Sequence, residues 1–225
     1  MQTAHASLST QIVPNVALLR TLPAPRTAPE LGTARTVSKD EEIFAEGDRT
    51  AYFYKVVSGA VRTFKLLSDG RRQIDAFHLP GDIFGMELGD EHRFSAEALG
   101  EATIVAYRRC SLEALASRDQ AFAHQVTSSV MRTLERAQDH MLLLGRKHAL
   151  EKIATFLLVL SERLAKDGHV DLPMSRIDIA DHLGLTIETV SRSLTQLERQ
   201  GVIELPAHRR SIVLRDKAAL RRLKA

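Results

Sequence analysis

Residues 120–146 constrain this chain most. They contain no proline and no glycine before Gly145, and Val126, Val130, Leu134, Ala137, Met141 and Leu144 recur at steps of four, four, three, four and three. Steps of three and four place those side chains on one stripe of an α-helix, which predicts a long helix with a single narrow apolar seam. Such a seam can be buried against the helix's own domain or against a second copy in a two-stranded coil, where seams recur every ~3.5 residues. Length and narrowness favour the second, making these six residues the candidate dimer interface.

The flanks of this helix have different periods. Residues 1–33 hold four of the seven prolines and show neither a helical nor a strand period, which predicts a loosely ordered arm. From Thr36 to Arg108, short runs at 52–57, 61–67, 73–79 and 103–107 are separated by Ser58-Gly59, Asp69-Gly70 and Pro80-Gly81, pairs that form turns. Several short strands of this kind predict a small antiparallel barrel or jelly roll. After residue 146, Leu150, Ile153, Ala154, Leu157, Leu160 and Leu164 define another helix, over 149–166, and Gly145 marks a hinge. The predicted class is α+β: an arm (1–33), a β-roll sensor domain (34–118), a dimerisation helix with hinge (119–146) and a C-terminal domain (147–225).

Composition narrows the functional classes. With 225 residues and 44% hydrophobic side chains the chain can build ordinary cores, and a formal charge of +3 is too small to argue nucleic-acid binding by itself. Distribution is more informative: residues 199–224 carry Arg199, Arg209, Arg210, Arg215, Lys217, Arg221, Arg222 and Lys224 against Glu204 and Asp216. The single cysteine, Cys110, excludes an internal disulfide and any site needing several thiolates. No apolar run spans a bilayer and the N-terminus lacks the pattern of an export signal, so a cytoplasmic protein is expected.

In the segment from Met174 to Leu205, a short helix over 175–183 is followed by Gly184, Leu185, the N-cap candidate Thr186 and a second helix over 187–200. This is the pattern of a helix-turn-helix. Ala180 permits close helix crossing, Gly184 can adopt the left-handed turn, and Ile177, Leu183, Val190, Leu194 and Leu197 are assigned to a shared core. Ile187, Val190, Leu194 and Leu197 then define the buried side of the second helix. Glu188, Ser191, Arg192, Thr195 and Arg199 fall together on the opposite side, beginning at the helix N-terminus.

The front of a recognition helix is the part that reaches base edges. Arginine can fork onto guanine and a carboxylate can accept from the cytosine amine, so Arg192 and Glu188 are candidate base readers, with Ser191 beside them. An ordinary solvated helix face with a Glu188–Arg192 ion pair would show the same spacing. The turn before it and the two short runs after it, 201–205 and 211–214, favour the DNA reading. Those runs form a predicted hairpin, or wing, whose tip presents Arg209 and Arg210 to phosphates. Ser175, Thr186, Thr195 and Arg199 complete the candidate backbone contacts.

At Leu183–Arg192 the chain resembles the Crp-Fnr superfamily of bacterial regulators, in particular its Fnr and FixK branch, and the resemblance extends from about Thr36 to the C-terminus. It implies a cyclic-nucleotide-binding-type β-roll, a long dimer helix and a winged helix-turn-helix. It also implies that Glu188, Ser191 and Arg192 read the half-site TTGAT, giving an operator of the TTGAT-N4-ATCAA kind, with four bases between the half-sites, bound by a homodimer. Ile187 stands where the Crp branch has an arginine. A lone Cys110 departs from the Fnr cluster pattern. Met86 and Phe94 stand where Crp-type members place the glutamate and arginine that hold cyclic AMP. No cofactor is therefore expected, and the resemblance implies a FixK-like activator of microaerobic, nitrogen-fixation or anaerobic-respiration genes.

Other readings remain at this point. An unidentified small-molecule effector could gate the roll. A cupin-type metalloenzyme is disfavoured because residues 36–109 hold only His78 and His92, without metal-ligand spacing. RNA polymerase could meet the hairpin at 67–72, although Lys65, Arg71 and Arg72 equally suit a solvated tip. His182 is expected at the surface or facing phosphate, and Cys110 as a small apolar group packed at the end of the last strand.

Overall fold

Strand alternation and glycine turns build the N-terminal half of the chain. The computed structural model describes residues 32–165, 168–206 and 211–224. One antiparallel sheet contains β1 (Gly32–Val37), β3 (Tyr52–Ser58), β6 (Ile83–Phe84) and β8 (Ala102–Arg108), in the order β1-β8-β3-β6. The facing sheet contains β2 (Glu42–Phe44), β4 (Val61–Leu66), β5 (Arg72–His78) and β7 (Ser95–Ala98), in the order β2-β7-β4-β5. Val37, Phe44, Tyr54, Val56, Val61, Phe84 and Ile104 fill the space between them, as expected of two sheets closing over one apolar interior. The four predicted strands are present; β1, β2, β6 and β7 are additions. Gly32 and Thr33 belong to β1, paired with Tyr107 and Ala106, so the arm predicted over 1–33 is shorter, and its residues 1–31 lie outside the described residues.

A short turn at Arg109–Ser111 and α1 (Leu112–Arg118) lead into α2 (Gln120–Arg146). Asp119 caps α2 by accepting from the Phe122 N–H at 3.0 Å, and the 27 residues make a rod about 40 Å long. Lys147 and His148, both extended, separate it from α3 (Ala149–Leu164). Beyond lie β9 (His169–Asp171), α4 (Arg176–Leu183), α5 (Ile187–Arg199), β10 (Ile203–Glu204), β11 (Ser211–Leu214) and α6 (Lys217–Lys224). The wing is a three-stranded sheet ordered β10-β11-β9. The basic tail forms α6, anchored by the fully buried Leu220.

The two halves share one core. Phe64, Ile74, Phe77, Leu79 and Leu99 of the roll pack in the same cluster as Phe156, Leu157, Ile179 and Leu183. Consecutive Thr63 and Phe64 of β4 pair with Ala76 and Ile74, which leaves Asp75 as the bulged, extra residue of β5. The extra residue shifts the parity of β5, so that Ile74 and Phe77 face the same neighbour despite odd spacing. Asp82 adds a polar clasp: it accepts from Arg136 of α2 at 3.2 Å and from Arg163 of α3 at 2.5 Å.

Several expectations are corrected here. Val126 is buried with Phe53, Tyr107 and Phe122 against its own roll, and Leu144 packs on the shared core. The two ends of the seam therefore belong to this chain, because the roll and the C-terminal domain both reach the rod there. Ile177 is 53% exposed while Ile179 is 2% exposed, since residues two apart point to opposite faces of a helix and α4 buries the face that carries Asp178, Ile179 and Leu183. Ile187 is 38% exposed at the rim. Cys110 is exposed, because the chain leaves the roll at that turn.

Candidate nucleic-acid interface

Local sequence forms this site. The Ser175 hydroxyl accepts from the Asp178 N–H, and Asp178 accepts in return from the Ser175 N–H at 2.9 Å; this capping box starts α4. Gly184 ends it in the left-handed region, with φ 61° and ψ 44°. Thr186 then caps α5, its hydroxyl accepting from the Thr189 N–H at 3.2 Å. Gly201, at φ 70°, closes α5 with its N–H donated to Glu198. These features reproduce the turn, cap and helix expected from the sequence.

Val190, Ser193, Leu194 and Leu197 are buried, whereas Glu188, Arg192 and Arg199 are exposed and Ser191 and Thr195 half-buried. The polar stripe thus faces away from the core. The Glu188 carboxyl is held below its ordinary range by its own backbone N–H at the helix N-terminus, then by the Thr186 hydroxyl and the Arg192 charge. It is ionised at neutral pH and can act only as an acceptor, which matches a cytosine amine. Arg192 presents an exposed guanidinium one turn further on. The Ser175 hydroxyl also donates to Asp178 at 2.7 Å, so it is largely engaged within its own helix. Arg209 and Arg210 lie outside the described residues.

Sequence reasoning missed four sets of positioning contacts. Glu198, on the inner edge of α5, accepts from the Leu205 N–H at 3.0 Å and ties the wing to this helix. Lys152 of α3 donates to the Leu183 carbonyl at 3.0 Å, satisfying an orphan acceptor at the end of α4. His182 is half-buried and turned inward: its Nδ1 meets the Ile74 carbonyl at 3.1 Å and its ring stacks on His140. Arg72 likewise is not a solvated hairpin cation, since it donates to Asp178 at 2.7 Å and Asp181 at 2.9 Å. Partners separated by a hundred residues leave no local signal.

The two positions that the resemblance assigns to the ligands of a cyclic nucleotide hold Met86 and Phe94. Met86, at one of the two expected ligand positions, is packed beside Phe53, Ile83 and Tyr107, and Phe94, at the other, has no charge. The adjacent carboxylate, Glu87, is held by His92 Nδ1 at 3.2 Å and the Arg93 N–H at 2.8 Å. The His92 ring stacks on Phe44 with centroids 3.7 Å apart. His78 is turned elsewhere, against Phe84 and the Thr63 hydroxyl.

Comparison with known proteins agrees with this architecture. Residues 34–119 match the cyclic nucleotide-binding domain family and residues 151–223 the Crp-like helix-turn-helix domain family. The chain is 51% identical over 198 residues to the nitrogen fixation regulation protein FixK of Azorhizobium caulinodans, covering 86% of this chain and 79% of that protein. It is 44% identical to the FixK protein of Rhizobium meliloti, covering 87% and 89%. The solved structure of FixK2 from Bradyrhizobium japonicum superposes with a TM-score of 0.81 at 51% identity, covering 87% of this chain and 98% of that one. The chain belongs to the Crp-Fnr family of helix-turn-helix transcription regulators, in the branch that contains the FixK proteins.

Proposed function

We propose that this regulator acts as a homodimer on an inverted repeat of the TTGAT-spacer-ATCAA kind, with Glu188, Ser191 and Arg192 reading bases. The observation that carries the proposal is the exposure of Glu188 and Arg192, with Ser191 between them, on the front of a helix whose opposite side is fully committed to the core. Thr186, Thr195, Arg199 and the wing residues Arg209 and Arg210 supply phosphate contacts, which set affinity rather than sequence, while the Ser175 hydroxyl serves Asp178. Self-association uses the middle of α2, where Val130, Leu134, Ala137 and Met141 are exposed. The regulator works in the cytoplasm without a cyclic nucleotide, contacts RNA polymerase, and activates microaerobic, nitrogen-fixation or anaerobic-respiration genes; of these, nitrogen fixation is the role that the names of its FixK relatives carry.

The test is a titration of purified protein, with no effector added, onto the inverted repeat and onto a scrambled duplex. Preference for the repeat by about a thousandfold or more is expected. Binding that appears only with added cyclic AMP would overturn the effector-free part, and equal binding to both duplexes would overturn the operator assignment.

A further inference from the structure

The orientation of α5 is inherited from α4, because only Gly184, Leu185 and Thr186 separate them. The covalent route from the rod to α4 passes through Lys147 and His148, an extended two-residue link between α2 and α3 held by Lys147 Nζ on Thr155 at 3.4 Å and the His148 N–H on Glu151 at 2.9 Å. Apolar packing between roll and α4 is strong but non-directional. Directional contacts come from Asp82 accepting from Arg163 of α3, from His182 Nδ1 at the Ile74 carbonyl, and from the roll's arginines. Arg62 of β4 donates to Asp178 at 3.1 Å, and Arg72 of β5 spans α4 by donating to both Asp178 and Asp181. Arg62 and Asp178 side chains are only 9% and 6% exposed, and Arg62 is itself braced by Glu97 at 3.1 Å. A planar guanidinium fork holding two carboxylates one helical turn apart fixes both the angle and the axial position of that helix.

We propose that Arg62 and Arg72, acting on Asp178 and Asp181, are positioning residues that set the spacer length the regulator accepts between its half-sites. This inference rests on the dimer and inverted-repeat reading above. A dimer with its recognition helices held rigidly tolerates one separation. Adding or removing a base pair moves a half-site by about 3.4 Å and rotates it by about 35° about the DNA axis. Freed from the roll, each helix-turn-helix could follow its half-site through the extended link, and spacer discrimination would collapse even while base discrimination survives.

The experiment compares binding of the full chain, Arg72→Gln and Asp181→Asn to duplexes carrying TTGAT and ATCAA arms separated by three, four or five base pairs. Asp181→Asn leaves the Ser175–Asp178 capping box whole, so it keeps the test available should Arg72→Gln fold poorly; thermal melting of each variant verifies the fold. The unaltered protein should favour the four-base-pair spacer by roughly tenfold or more, and the variants should narrow that preference to about threefold or less. Variants that weaken all three duplexes by one common factor, keeping the ranking intact, would show a merely structural contact and overturn the inference. An unaltered protein that does not discriminate among spacers would instead refute the rigid-dimer reading beneath it.

Discussion

The imidazoles of His140 and His182 lie face to face, ring centroids 4.1 Å apart and planes 10° from parallel. His140 belongs to the long rod and His182 to the first helix of the helix-turn-helix, so the stack marks the junction of rod, roll and DNA-binding domain. Burial, then the neighbouring His140, pushes His182 down to about 3, against a weaker opposing effect of the Ile74 carbonyl. Burial and then the Lys152 charge lower His140. Both rings are held neutral in the fold.

That neutrality predicts acid lability. The unfolded chain takes up protons at these histidines near 6.5, while the folded chain resists them, so their contribution is complete above pH 6.5 and is lost as pH falls below it. His78, pushed down to about 4 chiefly by burial, acts in the same direction. Stability should decline by about 1.4 kcal/mol per pH unit below 6.5 for each of His182 and His78, with His140 acting in the same direction. Asp82 and Asp178 have lowered carboxyl values, so their losses begin only below about pH 4 and do not contaminate the window. Urea unfolding at several pH values between 7 and 5 provides the check; a flat profile would rule the mechanism out, and His140→Gln should flatten it partly.

Arg192→Ala should cost roughly 1–3 kcal/mol per half-site and blur discrimination at one base position. Arg199→Ala should instead weaken all sequences alike and make the salt slope shallower by about one unit. Anisotropy titrations on matched and substituted duplexes at two salt concentrations separate the two behaviours. Full preference for the repeat retained by Arg192→Ala would remove this residue from the reading set.

Leu134 and Met141 are 54% and 66% exposed in a single chain. Replacing both with lysine should leave the thermal transition of the individual chain nearly unchanged while converting dimers to monomers in sedimentation. Val126, 8% exposed, should behave oppositely: Val126→Ala opens a cavity beside Phe122 and costs about 1–2 kcal/mol of stability, with no change in association. A lysine variant that remains dimeric would move the interface elsewhere.

Gly184→Ala tests the turn. An added Cβ would meet only Leu144 Cδ2 at 3.6 Å, an ordinary contact, so the penalty is the left-handed backbone at φ +61°. About 1–2 kcal/mol is expected, seen as a lowered melting temperature with weakened binding to every duplex. An unchanged melting temperature would mean that the turn relaxes without strain.

What the sequence determined by itself is what neighbours in the chain decide. The period of α2, the left-handed Gly184, the Thr186 cap and the stripe Glu188–Ser191–Arg192 all follow from contacts within a few residues, and helix geometry then dictates which side chains share a face. Tertiary structure alone decided which of two isoleucines, Ile177 or Ile179, enters the core, because α4 is covered on one side by elements distant in sequence. It also decided that the ends of the rod's seam close on their own chain, and that Arg72 and His182 leave solvent for partners about a hundred residues away. Charge and hydrogen-bonding capacity are written in a residue's chemistry; the group that satisfies them is chosen only when folding brings distant surfaces together.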